Sequence, residues 1–262
     1  MSQDWNSYDS AASDHDRLRV PVYFAPPARD LAERMEFGSA RSVLDVGAGS
    51  GIVAMQALDC PLVVAVDPSL EMTRLARQNG IASVAVATMP GLPFPEETFD
   101  RVTAGFVLSH VRSYEAALSD MVRVLRPGGL LGATAWGDLS NPYRDLWDSI
   151  VEQFVGRDEA KAAAGMGLPW EDWLARPGSL RDAFTAAGLR RVTADNLEYP
   201  IPMTIATFLE MRETSLMARF LRARVDDAGW QRFRETVRAE FHQRFRDPID
   251  HARTAWIVVG RR

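Results

Sequence analysis

The 262-residue sequence predicts an α/β fold built on a parallel sheet. Three observations predict it. An apolar run over 42–46 stops at a glycine-rich turn, Gly47-Ala48-Gly49-Ser50-Gly51. A second apolar run, 61–66, ends at Asp67, sixteen residues after Gly51. Further apolar runs then alternate with amphipathic stretches as far as the turn Pro127-Gly128-Gly129. Strands that alternate with helices pair in parallel through right-handed crossovers.

The elements follow in order. Residues 1–27 are polar, aromatic and proline-containing, without clear periodicity, and a short amphipathic helix is expected over 28–37 with Leu31 and Met35 inward. Strands are expected at 42–46, 62–66, 82–86, 100–105 and 129–136, with helices at 50–58, 69–79 and 114–125 between them. The Asn79-Gly80 pair supplies a stop for the second of these helices. A helix over 180–187, closed by Gly188, precedes a strand at 190–199, and 254–259 reads as the last strand. Two insertions, 138–178 and 203–249, read as helical, with Pro, Gly and Asn at their ends. No internal repeat or low-complexity tract interrupts this single-domain frame of 1–262.

A strand, a turn bare of side chains, a helix, a second strand and a carboxylate make a nucleoside-binding unit. Glycines let backbone N–H groups approach a ligand and permit positive φ. The following helix turns its positive end toward the ligand. A carboxylate at the tip of the second strand accepts from ribose hydroxyls. The spacing departs from the dinucleotide pattern G-x-G-x-x-G, whose third glycine falls here on Ile52. A nicotinamide-dependent dehydrogenase is therefore the weaker reading.

Asp45-Val46-Gly47-Ala48-Gly49-Ser50-Gly51 followed by Asp67 resembles motif I of the class I S-adenosylmethionine (SAM)-dependent methyltransferases. The resemblance continues in the family's order from about residue 40 to 136. Val64-Ala65-Val66-Asp67-Pro68-Ser69 and then Met72 resemble its ribose-binding strand and the helix after it. Gly91-Leu92-Pro93-Phe94-Pro95 followed by Glu96-Glu97-Thr98-Phe99-Asp100 is similar to the "LPF" segment of the UbiE-like, type 11 branch. Val107-Leu108-Ser109-His110-Val111 and the run Met121 to Gly129 resemble the segments flanking the helix after strand four. The family resemblance implies a Rossmann-like, seven-stranded, mostly parallel sheet with an antiparallel last strand. It also implies that the two insertions form a helical lid over the carboxyl ends of the strands.

What the resemblance implies for the site is specific. SAM contacts are expected from Asp45, Gly47, Ala48, Gly49 and Gly51 at the turn, and from Asp67, Pro68 and Met72 at the ribose. Asp45 is expected to help hold the cationic methionyl end, directly or through water. Thr88 stands where the family often carries an adenine-binding Asp, and Met89 follows it. Gly105 and Phe106 end strand four beside the cofactor, and the segment containing Tyr8 and Tyr23 is expected to cover it. Methyl transfer is in-line attack on a sulfonium, so the protein chiefly orients the reactants. His110 is the candidate base for an acceptor that must lose a proton, against a purely structural role; His15, His242 and His251 are weaker candidates. Trp136, Trp147, Trp170, Trp173, Met166, Met203, Met211 and Met217 fall in or beside the insertions. They suit an apolar or aromatic small molecule, methylated on oxygen or carbon, although core packing explains any one of them as well. A SAM-binding protein of the same fold with another role, cyclisation or a non-catalytic one, stays open.

Composition narrows the rest. The net charge of −5 argues against general nucleic-acid binding. Of 30 basic residues only Lys161 is lysine, which fits a GC-rich bacterial genome better than phosphate recognition. No run approaches a membrane span, no secretory signal opens the chain, and Cys60 is the single cysteine, as expected in the cytoplasm. Metal dependence is not expected, because Thr134-Ala135-Trp136-Gly137-Asp138 lacks the Asp-Asn pair of the catechol-type relatives. Oligomeric state is not legible.

Overall fold

The computed structural model describes residues 5, 7–9, 12–137 and 141–262. Asp138, and with it the first residues of the 138–178 insertion, lies outside the described residues. A seven-stranded sheet runs in the order β3-β2-β1-β4-β5-β7-β6. Its strands are β1 Ser42–Val46, β2 Leu62–Asp67, β3 Ser83–Val86, β4 Phe99–Gly105, β5 Leu125–Trp136, β6 Arg190–Pro200 and β7 Ala252–Arg261. β1 to β5 pair in parallel, and β7 runs antiparallel to both β5 and β6. Every residue of β1 is buried, as a central parallel strand covered on both faces requires. The strand order reverses between β1 and β4. That switch point opens a crevice at the carboxyl ends of the strands, where ligands bind in open α/β sheets.

Helices cover both faces. Leu31 and Met35 pack with Val43, Leu130 and Ile257 on one side. The helices Tyr114–Val124 and Ser179–Ala186 pack Leu118, Met121 and Phe184 on the other. The insertions form the helices Pro142–Val155, Arg157–Gly167, Glu171–Leu174, Ile205–Glu213, Leu216–Arg222 and Asp227–Arg244. Several of them share a second core around Trp147, Ile150, Phe208, Phe233 and Phe241, which Tyr23 joins from the N-terminal segment. No helix among the described residues is long and apolar enough to cross a membrane.

Two local expectations are corrected. The N-terminal segment is helical well before residue 28: a π-helix, His15–Phe24, leads into the helix Ala25–Arg34. Pro21, inside the π-helix, has no N–H to donate. Pro26 and Pro27 fall in the first turn of the next helix, where the missing donor costs nothing. The helix expected over 50–58 is reduced to turns and a 3₁₀ segment, Ala54–Ala57. The Ala54 N–H is taken by the Asp45 carboxylate at 3.0 Å instead of a carbonyl.

Candidate functional site

The glycine turn is held from both sides. Ala48 N–H donates to the Val66 carbonyl at 3.0 Å, which ties the end of β1 to the end of β2. Gly47 sits at φ +65°, and a Cβ there would lie 2.2 Å from Val107 Cγ2, so no other residue fits. Gly49 sits at φ +55° with nothing within 4 Å of its missing Cβ, so the turn faces open space. Gly49 N–H donates to Asp67 Oδ2 and Ser69 N–H to Asp67 Oδ1, both at 2.9 Å. Burial raises the Asp67 pKa, and those two backbone donors oppose the rise. Each oxygen keeps a further lone pair for a ribose hydroxyl. Open space over a glycine and a carboxylate fixed by backbone donors fit a nucleoside cofactor.

The N-terminal segment reaches this edge. Asp9 accepts from Ser69 Oγ and, at 3.3 Å, from the Glu71 N–H, and the Ser69 hydrogen bond is the largest cause lowering its pKa. Ser69 also caps the helix Leu70–Gln78, accepting from Met72 N–H at 3.1 Å. Met72 is buried beneath, Pro68 and Thr88 are exposed, and Met89 packs against the main core.

Asp45 makes its contacts within the protein. It is only 1% exposed and lies beneath the turn. Its Oδ2 accepts from Ala54 N–H at 3.0 Å and its Oδ1 from Thr103 Oγ1 at 2.8 Å. Burial pushes its pKa up to about 7 against these bonds. These bonds tie the end of β1 to Ala54 and to β4 beneath the turn.

At the ends of β4 and β5 the wall is aromatic. Phe106 adopts φ +58°, a left-handed conformation costly for a non-glycine residue. Its N–H donates to both the carbonyl and Oγ1 of Thr134 at 3.1 Å, which offsets that strain. The Phe106 ring thereby stacks on Trp136 at 4.1 Å, and Phe24 meets both rings edge-on at 5.2 and 5.6 Å. Gly105 precedes them, with Val53 Cγ2 3.2 Å from its missing Cβ.

His110 follows β4 four residues after Phe106, with the Tyr8 ring edge-on at 5.5 Å. It keeps exposed surface, and burial is the largest cause lowering its pKa. A hydrogen bond to the Gly167 backbone and the charge of Glu171 oppose that fall. His15 packs against Tyr8 and Phe24, and burial drives its pKa down to about 3. His251 pairs with Tyr23, and His242 lines a separate cavity among the insertion helices. Tyr23 thus faces His251 and the second core, while Tyr8 approaches the Asp67 edge. Trp147 is fully buried; Trp170 donates to the Val111 carbonyl at 2.9 Å, and Trp173 stacks on Tyr114 at 4.4 Å, so all three serve packing. Sequence reasoning missed Asp9, Phe24, Arg19 and Arg253, none of which stands in a recognisable local pattern. Among the described residues, no group of three His, Cys, Asp or Glu side chains is placed to hold a metal.

Comparison with known proteins agrees with this geometry. The type 11 family described as a methyltransferase domain matches residues 44–133. Demethylmenaquinone methyltransferase of Mycobacterium sp. (strain JLS) is 29% identical over 164 residues, covering 62% of this chain and 70% of its own. Among solved structures, a SAM-dependent methyltransferase of Thermotoga maritima aligns with a TM-score of 0.55 at 17% identity, over 98% of this chain and 99% of that one. The cyclase SpnF aligns at 0.52 and 20% identity, over 91% and 80%. These two likenesses show the fold alone. The matched family, the relative and the glycine turn with Asp67 converge: the chain belongs to the class I SAM-dependent methyltransferases, in their UbiE-like type 11 branch, and transfers a methyl group from SAM to a small-molecule acceptor.

Proposed function

We propose that the acceptor is an aromatic or quinone-like small molecule, methylated on oxygen or carbon without a metal. The observation that carries this reading is the aromatic wall of Phe24, Phe106 and Trp136 at the ends of β4 and β5. A flat, polarizable ligand packs on such a surface. The relative's name, demethylmenaquinone methyltransferase, supports an acceptor of this kind.

When bound, SAM supplies an electrophilic methyl on a sulfonium. Asp67 and the Gly47–Gly51 turn hold the nucleoside end, with Asp45 bracing the turn from below. Phe106 and Trp136 orient the acceptor's ring. The segment 1–27 and the insertions 138–178 and 203–249 act as the lid that keeps water out. Neutral His110, one ring nitrogen engaged by the Gly167 backbone, has its other nitrogen free to take a proton from the acceptor. A cytoplasmic setting belongs to the same proposal and rests on the single buried Cys60.

The test is incubation with methyl-labelled SAM and a panel of phenols, hydroquinones and aliphatic alcohols. The reading expects acceptor-dependent release of S-adenosylhomocysteine (SAH) and label on an aromatic product. SAM binding without SAH release from any member would favour a cyclase-like role on this fold.

A further inference from the structure

Next to the aromatic wall lies a cleft lined by Arg19, Tyr23, Arg144, Arg212, His251 and Arg253. Four guanidinium groups face one space, and their carboxylate partners are too few. Asp148 bridges Arg144 at 3.2 Å and Arg212 at 2.8 Å, and Glu171 lies 3.9 Å from Arg144. Neither Arg19 nor Arg253 has a carboxylate within ion-pair distance among the described residues. Both lie against rings instead. The Arg253 guanidinium carbon is 3.7 Å from the Trp136 ring centre and 5.9 Å from that of Tyr23. Arg19 is 6.0 Å from the Tyr23 ring centre and 5.9 Å from that of Phe24. Burial is the largest cause lowering the Arg253 pKa, to about 9, which leaves it cationic at neutral pH. The charge of Glu171 opposes that fall from beyond ion-pair distance, so a half-buried cation is left without a direct partner, which an anionic ligand would supply.

The hydrogen-bond chain around Tyr23 supplies a third donor. Asn141 Oδ1 accepts from the N–H groups of Tyr143 and Arg144 at 3.1 and 3.0 Å, which fixes the amide orientation. Its Nδ2 therefore donates to His251 Nδ1 at 2.9 Å. Burial holds His251 neutral, with a pKa of about 4, so its one proton is on Nε2 and is donated to Tyr23 Oη at 3.2 Å. The Tyr23 hydroxyl proton is left for a ligand.

We propose that the methyl acceptor carries an oxyanion, a carboxylate or a phosphate, held by Arg19 and Arg253 with the Tyr23 hydroxyl as third donor. Resting on the methyltransferase reading, this makes the acceptor an aromatic acid or aryl phosphate. Its ring lies at the edge of the Phe24, Phe106 and Trp136 cluster, since Phe106 and Arg253 already cover the two faces of Trp136 at 4.1 and 3.7 Å, and its anionic end points away from Asp67. Arg253 joins the two halves, since it touches Trp136 and faces the cleft at once.

The test is calorimetric titration of the SAH-saturated protein with benzoate, inorganic phosphate and, as the uncharged match of benzoate, benzamide. The wild type is expected to bind at least one anion. Arg253→Gln is expected to weaken it by about tenfold or more while still binding SAH, the loss of one charge-assisted bond. Benzoate alone would mark a carboxylate site and phosphate alone a phosphate site. Equal binding of benzamide and benzoate, binding of neither anion, or an unchanged Arg253→Gln would overturn the proposal. Arg19→Gln serves the same comparison should Arg253→Gln fail to fold. Failure of the wild type to bind SAH would strike the methyltransferase reading instead, and anion titration of the ligand-free protein would still read the arginine cleft.

Discussion

Replacing Asp45 by asparagine should change the pH dependence of stability in a defined direction. The carboxyl has an ordinary pKa of 3.8 and is pushed to about 7 in the folded protein, chiefly by burial. A raised carboxylate pKa means that the folded state holds its proton where the unfolded state has released it. Stability from this group is thus greatest in acid and is lost as pH rises from about 4 to 7; above 7 the loss is complete. Each pH unit of separation is worth about 1.4 kcal/mol, so the full penalty approaches roughly 4 kcal/mol. Between pH 5 and 8 the portion expressed is about 3 kcal/mol. The asparagine amide would accept from Ala54 N–H and donate to Thr103 Oγ1, keeping the hydrogen bonds without the ionisation. Urea denaturation of both proteins across that range measures the difference. Other groups, including Asp67, titrate in both proteins and largely cancel. The account expects Asp45→Asn to gain on the wild type by roughly 2–3 kcal/mol as pH rises from 5 to 8. A difference that is flat with pH, or one that moves the other way, would mean that Asp45 is not the buried, proton-retaining carboxyl described above.

Other expectations follow from the same geometry. Gly47→Ala meets both a positive φ and the Val107 side chain, so it should lose well over the roughly 1–2 kcal/mol of left-handed strain, read as a fall in Tm. Gly49→Ala meets open space and should cost only about that strain, yet its methyl enters the cofactor's side of the turn, so calorimetry should show weakened SAH binding. Thr134→Val removes one of two acceptors from the Phe106 N–H and should cost about 0.5–1.5 kcal/mol in denaturant unfolding. His110→Gln should lower kcat by about 100-fold or more on an acceptor that loses a proton, with the KM for SAM little changed.

The parts of the site legible in the sequence are those where backbone geometry dictates residue type. The positive φ values at Gly47, Gly49 and Gly51 need glycine, and the tip of a second parallel strand places Asp67 sixteen residues on. Strand positions were legible because buried parallel strands read as short apolar runs. The N-terminal helix was not: His15–Phe24 contains Pro21 and little periodicity, and packing against the second core holds it. Nor was the direction of Asp45, because the same motif residue serves whether it faces a ligand or turns inward onto Thr103. Arg19 and Arg253 stand at opposite ends of the chain, and only the tertiary fold brings them to one cleft. Trp147, Trp170 and Trp173 show the converse, since an aromatic-rich insertion reads alike whether its rings pack inward or face a ligand.

The proposed function depends on the Gly47–Gly51 turn and Asp67 holding the cofactor's nucleoside. Calorimetric titration of SAH into the wild type and Asp67→Asn, with matched Tm values as a folding control, tests it most directly. The wild type is expected to bind, with affinity weakened about 10- to 100-fold in the variant by the loss of charge-assisted bonds to the ribose. Equal affinity in the two proteins, or no binding by a folded wild type, would contradict it.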